Sequence, residues 1–189
     1  MAWAIVGTAL FGMLWFGVFA PKMHGVQTTI GQGDYHLTTT TGAPFAAETL
    51  AGVPAAVFFG YTHCPDVCPT TLGDIATWQQ ELGDQAGAFR FFFVTVDPER
   101  DTAPILGDYL SWAKDVTGVT GPRPEIDKAL AAFRIYARKS PGTGAEYGMD
   151  HTASVLLFDA GGHFSGKIGY QEALETVMPK LRALIGPRS

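Results

Sequence analysis

The sequence predicts an α/β domain that follows a single transmembrane helix. Residues 2–20 contain no charged side chain and are dominated by aromatic and aliphatic residues. Residues 55–61 and 89–96 are short, aromatic apolar runs of the kind that form buried strands. Between them, the apolar positions from Leu72 to Leu82 follow a helical spacing. Two strands with a helix between them predict a parallel βαβ unit.

The N-terminal apolar segment is long enough to cross a membrane. A helix over residues 2–20 would span about 28 Å, close to the ~30 Å hydrocarbon core of a bilayer. A cleaved signal peptide is the alternative, but the segment lacks a basic start and Pro21 directly follows Ala20. We therefore expect an uncleaved anchor over residues 1–21, a tether over 22–32 and one folded domain over 33–189.

The domain is predicted to begin with a β-hairpin. Residues 35–41 and 45–50 are expected to be half-exposed strands on either side of a turn that contains Gly42 and Pro44. His24 in the tether and His36 in the hairpin are expected to be solvent-exposed histidines rather than ligands.

The only two cysteines, Cys64 and Cys68, directly follow the first buried strand. Pro69 fits the first turn of a helix but not its interior, so the helix is predicted to begin at Cys68 or Pro69. The pair then lies at a helix N-terminus, where the helix dipole favours thiolate over thiol. If the loop coils helically, the two Cβ atoms lie roughly 5–6 Å apart. Such a pair can hold one soft metal ion or form a disulfide.

The carboxyl ends of parallel strands meet at one edge of a sheet, where ligands bind in such folds. Tyr61 ends the first buried strand and Asp97 follows the second, so the cysteine loop and the loop 97–101 are expected to be neighbours. Asp97 and Asp101 are candidates for the surroundings of a metal ion. Asp-Pro is also an ordinary turn signal, however, and the structural interpretation is preferred.

The remainder of the chain continues to alternate strands and helices. Residues 139–148 are rich in glycine and contain one proline, which predicts a mobile surface loop. Pro179 is expected to kink or split the last helix. Helices are predicted over residues 104–114, 124–135 and 171–185. Strands are predicted over 153–158 and 163–168, joined by a turn at 159–162, and a weak strand or loop is predicted over 116–119.

Two thiolates leave a metal ion under-coordinated, so a third ligand is expected from elsewhere in the chain. His151 is the candidate, because it lies in a polar segment just before a buried strand, where no core residue is needed. His63 would point away from a site that Cys64 faces, and His163 is expected on an exposed strand. A single histidine is usually structural or exposed, so the local sequence leaves this assignment open.

Three motifs in order resemble the signatures of the Sco/SenC family, membrane-anchored copper proteins that assist the assembly of cytochrome c oxidase. They are residues 61–69 with both cysteines, residues 96–102 with Asp97 and Asp101, and residues 150–152 with His151. The resemblance covers roughly residues 30–186 and implies a thioredoxin/peroxiredoxin-like fold. It also implies that the copper ligands are Cys64, Cys68 and His151.

The donor set agrees with this resemblance. Two thiolates and an imidazole suit Cu(I), and with an added oxygen ligand they can hold Cu(II). A zinc site with two cysteines and one histidine has the same ligand count, and only the resemblance ranks copper above zinc. Asp97, Asp150 and Tyr61 are candidates for the residues that surround the ligands.

The resemblance implies a copper metallochaperone that acts on the Cu(A)-bearing subunit of cytochrome c oxidase. A periplasmic copper donor or a thioredoxin-like reductant is a further candidate partner. The alternative function is a thiol–disulfide oxidoreductase that reduces the cysteines of the oxidase copper site or of another extracytoplasmic partner. Dedicated thioredoxin-like enzymes use a shorter Cys-x-x-Cys spacing, and many place a cis-proline before the facing strand, which residues 151–155 lack. A peroxidase is a third alternative, for which no peroxide-activating arginine is evident.

Composition and the N-terminus predict the location and exclude one partner class. A formal net charge of −5 argues against nucleic acid as a partner. No Arg- and Ser-rich transit peptide precedes the apolar segment, which favours a bacterial cytoplasmic membrane over a mitochondrial one. We expect a single-pass protein whose soluble domain faces the periplasm.

Overall fold

The computed structural model describes residues 29–141 and 147–186. The predicted anchor over residues 1–21 and the part of the tether that contains His24 lie outside the described residues. No helix within the described ranges is long and apolar enough to cross a membrane. The elements are β1 (Leu37–Thr39), β2 (Pro44–Phe45), β3 (Ala55–Gly60), α1 (Val67–Leu82), β4 (Arg90–Thr95), α2 (Ala103–Leu110), β5 (Val116–Thr120), α3 (Arg123–Phe133), β6 (Ala137–Pro141), β7 (Tyr147–His151), β8 (Val155–Phe158), β9 (Phe164–Ile168) and α4 (Leu174–Ile185).

Seven of these strands form one mixed sheet in the order β2-β1-β5-β4-β3-β8-β9. Strands β3, β4 and β5 are parallel, and Gly60 of β3 lies opposite Thr95 of β4. The connection β3–α1–β4 confirms the predicted βαβ unit. Because β3 and β4 end side by side, the segments that follow them emerge at the same edge of the sheet.

An aromatic core holds the central strands in place. Phe58 and Phe59 on β3 and Phe93 on β4 are fully buried. The rings of Phe58 and Phe93 meet edge-on at 5.6 Å, and Phe59 meets Phe133 of α3 at 5.1 Å. Burying a side chain of this size contributes about 1.5–3 kcal/mol relative to exposure. The end of β3, from which the cysteine loop starts, is therefore anchored in the buried aromatic core.

The predicted N-terminal hairpin is confirmed, but its second strand is shorter than expected. Leu37 of β1 pairs with Phe45 of β2. The following residues, Ala47–Leu50, form a 3₁₀ turn instead of continuing the strand. The Thr49 hydroxyl accepts the Ala46 N–H at 2.9 Å, and such local side-chain bonds compete with strand pairing. Upstream, Gly31 and Gln32 from the end of the predicted tether bond to Ala132 and Gly162.

The weak strand predicted at residues 116–119 is a regular element of the sheet. Strand β5 runs parallel to β4 and pairs with β1 on its other side. Helix α2 ends at Leu110 rather than at residue 114. The chain needs residues 111–115 to turn from the helix into β5, and Asp115 adopts a left-handed conformation with φ 57° in that turn.

The prediction of a mobile loop over residues 139–148 is wrong for its described parts. Strands β6 and β7 pair antiparallel from Ala137–His151 to Pro141–Tyr147, and residues 142–146 lie outside the described residues. The two strands form a separate two-stranded sheet. Glycine and proline correctly predict that the chain reverses here. The two paired strands are polar and carry no alternating apolar pattern, so hydrophobic periodicity does not predict that they are strands.

The C-terminal part follows the predicted order with two corrections, both in the last helix. Strands β8 and β9 form the expected antiparallel hairpin. Helix α4 begins at Leu174, because Gln171 adopts a left-handed conformation with φ 53° that ends the preceding turn. Pro179 does not split this helix, which continues through it to Ile185. Val177, Met178 and Leu181 are buried around Pro179, and their packing offsets the hydrogen bond that proline cannot donate.

Candidate metal centre

The two cysteines lie where the first βαβ unit turns from strand to helix. Cys64 belongs to the turn after β3, and Cys68 is the second residue of α1. The Cys68 backbone N–H donates to Cys64 Sγ at 3.3 Å, which holds the first sulfur over the start of the helix. Cys68 is buried and Cys64 is half-buried, and both are free thiols. Helix α1 begins one residue before the predicted start, with Pro69 in its first turn.

His151 reaches the cysteines from the far end of the chain. It is the last residue of β7, and its Nε2 lies 3.6 Å from Cys68 Sγ. Its Nδ1 lies 3.1 Å from the carbonyl oxygen of Thr152. A carbonyl can only accept, so this contact requires a proton on Nδ1 and leaves the lone pair of Nε2 free for a metal ion.

The three ligand atoms of Cys64, Cys68 and His151 all lie within 4.8 Å of one another. An ion bound symmetrically to three atoms at about 2.2 Å would need them about 3.8 Å apart, so a small contraction completes the site. Two soft sulfur donors and one imidazole fit copper or zinc better than a hard cation. The residues present therefore fit a bound copper ion.

The two thiols differ sharply in acidity. The Cys68 thiol donates to Cys64 Sγ, and this hydrogen bond, with help from backbone amides, lowers the pKa of Cys64 from 9.0 to about 4 against the opposing effect of burial. The same hydrogen bond and burial raise the pKa of Cys68. At neutral pH the pair thus holds one thiolate on Cys64 and one proton on Cys68. Binding a metal ion to both sulfurs must release that proton.

The inner wall of the site is apolar and closely packed. A Cβ atom at Gly60 would lie 2.8 Å from Cys68 Sγ and 2.7 Å from the Phe93 ring, so only glycine fits there. The Phe58 and Tyr61 rings meet the His151 ring edge-on at 6.2 Å and 5.8 Å. The outer side opens into a cleft of about 310 Å³ lined by Tyr61, Cys64, Pro65, Asp66, Val67, Met149, Asp150, His151 and Ala153.

The candidate surrounding residues occupy different positions. Tyr61 lies against His151, and burial raises the pKa of its hydroxyl. Asp150 is exposed at the rim of the cleft. Asp97 is fully buried and bonds to Arg100 and Tyr147. Their influence on a bound metal stays a prediction.

Asp101, a candidate from the sequence, connects the cysteine loop to the sheet, but its partners Thr62 and Thr95 and the contact of Arg100 with Tyr147 are not predicted from the sequence. The Asp101 carboxylate is buried and accepts the Thr62 N–H at 3.1 Å, the Thr62 hydroxyl at 2.6 Å and the Thr95 hydroxyl at 2.6 Å, which ties the cysteine loop to the end of β4. Arg100 donates to the Tyr147 carbonyl oxygen, which joins the loop after β4 to the start of β7. The one sequence signal for Asp101 is the expected meeting of the two strand ends at the same edge of the sheet.

The other histidines that the structure describes, His36, His63 and His163, are not part of the ligand cluster. His63 is exposed and contacts the Thr62 hydroxyl through Nδ1 at 3.0 Å. His163 is exposed in the β8–β9 turn, where it faces Asp159. His36 faces Asp34 on the surface. Within the described ranges, Cys64, Cys68 and His151 form the one cluster of such groups that could hold a metal ion.

Comparison with known proteins places the whole described domain in one group. A protein-family model described as SCO1/SenC matches residues 24–186. The mitochondrial protein SCO1 of Saccharomyces cerevisiae is 31% identical over 153 residues, which cover 79% of this chain and 52% of the yeast protein. The chain thus spans about half the length of the curated relatives that it matches first.

Solved structures show the same fold. The structure of Bradyrhizobium japonicum ScoI with copper bound superimposes with a TM-score of 0.75 at 37% identity, covering 82% of this chain and 99% of that one. Yeast Sco1 with copper bound gives a TM-score of 0.73 at 30% identity, covering 81% and 86%. The described domain therefore has the thioredoxin-like α/β fold of the Sco proteins, as the sequence motifs implied.

Proposed function

Because this chain belongs to the SCO1/SenC family, we propose that it is a membrane-anchored copper chaperone that helps to assemble the Cu(A) site of cytochrome c oxidase. One observation carries the proposal: Cys64 Sγ, Cys68 Sγ and a His151 nitrogen converge to within 4.8 Å although His151 is 83 residues from Cys68. Copper is here the cargo of the protein rather than a resident cofactor.

The donor set and the relatives together favour copper over zinc. Two thiolates and one imidazole can bind either metal. The Bradyrhizobium and yeast structures to which this chain is similar are described with copper bound. Cu(I) is satisfied by the two sulfurs with the imidazole as a third donor, whereas Cu(II) takes an added oxygen ligand from the open side of the cleft.

The arrangement of the ligands suits a metal that must leave again. Cys68 is buried at the back of the site, while Cys64 is half-buried and borders the cleft. Cys64 carries the thiolate before the metal arrives, so it makes the first bond to an incoming Cu(I) ion. For release, a recipient's ligands enter through the cleft and replace Cys64 and His151 before the metal detaches from Cys68.

The proposed location and partners rest on the apolar N-terminus. The uncharged segment over residues 2–20 supports a single-pass anchor in a bacterial cytoplasmic membrane, with the domain on the periplasmic side. The proposed recipient is the Cu(A)-bearing subunit of the oxidase. A periplasmic copper protein is the proposed donor.

A copper titration of the reduced full chain tests the proposal. We expect one equivalent of Cu(I) to bind, and the Cys64→Ser and Cys68→Ser variants to lose this binding. The chain oxidised to a Cys64–Cys68 disulfide should bind no copper at the site. Undiminished binding by either serine variant or by the oxidised chain would show that copper binds elsewhere.

A thiol–disulfide oxidoreductase is the second candidate, because the pKa of Cys64 falls to about 4 next to a protonated second thiol. The Cys64 thiolate would attack a disulfide of the partner and form a mixed disulfide, and one partner thiolate would leave. Cys68 would then lose its proton and displace the second partner thiolate. The partner gains two electrons, and this protein ends as the Cys64–Cys68 disulfide. Reduction of an oxidised Cu(A)-site peptide by the copper-free chain, at a rate that depends on Cys64, would favour this function.

A further inference from the structure

His151 lies on the β6–β7 hairpin, which is not part of the seven-stranded sheet. Strands β6 and β7 pair with each other and form a sheet of their own, separate from the seven-stranded sheet that ends at the cysteine loop. The position of His151 relative to the cysteines therefore depends on the contacts that hold this hairpin against the domain.

Three polar contacts between the hairpin and the domain lie at the end of β7 opposite His151. Tyr147 is the first residue of that strand, and its hydroxyl donates to Asp97 Oδ1 at 2.8 Å. Arg100 Nη1 donates to the Tyr147 carbonyl oxygen at 3.0 Å. The Arg100 guanidinium carbon lies 3.8 Å from the centroid of the Tyr147 ring, which is a close cation–π contact. Arg100 also forms an ion pair with Asp97. We call Asp97, Arg100 and Tyr147 the Tyr147 cluster.

The Tyr147 cluster is anchored in the rigid part of the domain. Asp97 is fully buried, and its backbone N–H donates to the Thr95 hydroxyl at the end of β4 at 2.9 Å. The Asp101 N–H donates to the Asp97 carbonyl at 3.0 Å, and the Asp101 carboxylate accepts the Thr62 N–H beside the cysteines. The loop after β4 thus contacts the cysteine loop through Asp101, and it contacts the β6–β7 hairpin through Asp97 and Arg100.

Strand geometry connects the cluster to the ligand. Residues 147, 149 and 151 alternate onto the same face of β7. Met149 between them is buried, which shows that this face is turned toward the domain. Contacts that hold Tyr147 in place therefore also determine which face of β7 turns toward the domain and how far along the strand His151 lies from Cys68.

We infer that Tyr147 and Arg100 are positioning residues, which hold the β6–β7 hairpin so that His151 can complete a copper site whose sulfur ligands are held by other contacts, the Cys68 amide on Cys64 and Asp101 on Thr62. The role in copper binding rests on the proposed function, whereas the role in holding the hairpin does not. Because Cu(I) is satisfied by two thiolates and Cu(II) needs more ligands, loss of the cluster should affect Cu(II) far more than Cu(I).

The Tyr147→Phe variant tests this inference in the full chain. It keeps the ring and its contact with Arg100 but removes the hydrogen bond to Asp97. We expect Cu(II) affinity to fall about tenfold, in line with the loss of other outer contacts of metal ligands, with weaker nitrogen coupling in the Cu(II) spectrum and Cu(I) affinity unchanged. Tyr136→Phe is the matched control, since Tyr136 precedes the same hairpin, is exposed, and its hydroxyl has no hydrogen-bond partner among the described residues.

Amide hydrogen exchange in the metal-free chain separates the two proposals. Tyr147→Phe should speed exchange at Met149 and His151, and Tyr136→Phe should not. If the wild type binds no copper while this exchange difference is found, the positioning role stands and the proposed function fails. Unchanged exchange, unchanged Cu(II) affinity, or equal losses of Cu(I) and Cu(II) would each overturn the inference. If Tyr147→Phe does not fold, the Arg100→Lys variant is used instead. It removes the planar guanidinium that contacts both Asp97 and Tyr147, and the same results are expected.

Discussion

Cys64 and Cys68 differ in protonation although they belong to one motif. Cys68 is buried behind Gly60 and Phe93, where a charge would be poorly solvated. Cys64 is half-buried and receives hydrogen bonds from the Cys68 thiol and the Cys68 amide. The thiolate therefore settles on the sulfur that borders the cleft. This is the sulfur that an incoming metal ion or a partner disulfide meets first.

The acidity of Cys64 predicts a distinctive pH profile for alkylation. Because a thiolate reacts and a thiol does not, the rate with iodoacetamide should stay near its plateau down to pH 5 and halve near the pKa of about 4. Replacing the donor in Cys68→Ala should move this midpoint upward by about one unit or more. The rates are followed by mass spectrometry of the metal-free chain. A wild-type midpoint near the ordinary thiol value of about 8.5 would contradict the assignment.

His151→Ala separates the two oxidation states of copper. Removing the imidazole leaves two thiolates, which still hold Cu(I) nearly linearly, whereas Cu(II) loses one of the ligands it requires. We expect Cu(II) affinity to fall by about tenfold or more, nitrogen coupling in the Cu(II) spectrum to disappear, and the unfolding temperature to change little. His63→Ala is the control, because His63 is exposed and contacts the Thr62 hydroxyl instead of the sulfurs. Loss of nitrogen coupling in His63→Ala but not in His151→Ala would reverse the ligand assignment.

At the scale of elements, the contact between β3 and α1 determines how deeply Cys68 is buried. Gly60 ends β3, and the missing side chain lets the first turn of α1 bring Cys68 Sγ against the strand and the Phe93 ring. The sheet and the helix therefore share one close contact at the metal centre. Any side chain at position 60 must push the two elements apart.

The Gly60→Ala variant measures that contact. Its Cβ atom would lie 2.8 Å from Cys68 Sγ, and such overpacking costs about 1–3 kcal/mol of unfolding free energy. Copper affinity should fall as well, because Cys68 is displaced. The control is Gly73→Ala within α1, where nothing lies within 4 Å of the added atom and alanine should stabilise the helix by about 0.5–1 kcal/mol. Denaturant unfolding and copper titration of both variants check the prediction, and equal stability of the two would contradict it.

Across the whole chain, the domain is stabilised by its own buried core, whereas the predicted anchor is suited to the interior of a lipid bilayer. The described residues bury their own aromatic core, and the Tyr35 ring contacts Phe45 and Phe133 within it. The segment over residues 2–20 offers no charged or patterned face and is suited to a lipid environment. Folding of the domain should therefore not require the anchor.

Removal of residues 1–27 should leave a soluble, cooperatively folded protein. The core is complete without them, since the described chain from Thr29 already packs Ile30 and Gly31 against the domain. A single sigmoidal urea transition and a monodisperse sedimentation profile without detergent are expected. The full-length chain should instead need detergent to remain dispersed. A truncated protein that aggregates, or unfolds without cooperativity, would show that the core extends into the N-terminus.

Local sequence preferences are sufficient to predict the position of the two cysteines and the α/β class of the fold. Proline and apolar spacing place Cys64 and Cys68 between a strand and a helix, because such preferences act within a few residues. The same rules predict the βαβ unit, most of the helices and the β8–β9 hairpin. They also predict the meeting of Tyr61 and Asp97 at one edge of the sheet, because parallel strands must end together.

The resemblance implies His151 as the third ligand, but the contacts that bring it to the cysteines appear in the folded domain alone. His151 and Tyr147 belong to a polar hairpin whose strands carry no apolar alternation, so its pairing is set by contacts with the domain rather than by local preference. Arg100 and Asp97 recognise Tyr147 across about fifty residues of chain, and no periodicity encodes such a contact. The sequence predicts two sulfur ligands for a soft metal ion and the strand ends beside them. The packing of the hairpin against the domain brings the third ligand, His151, to these sulfurs.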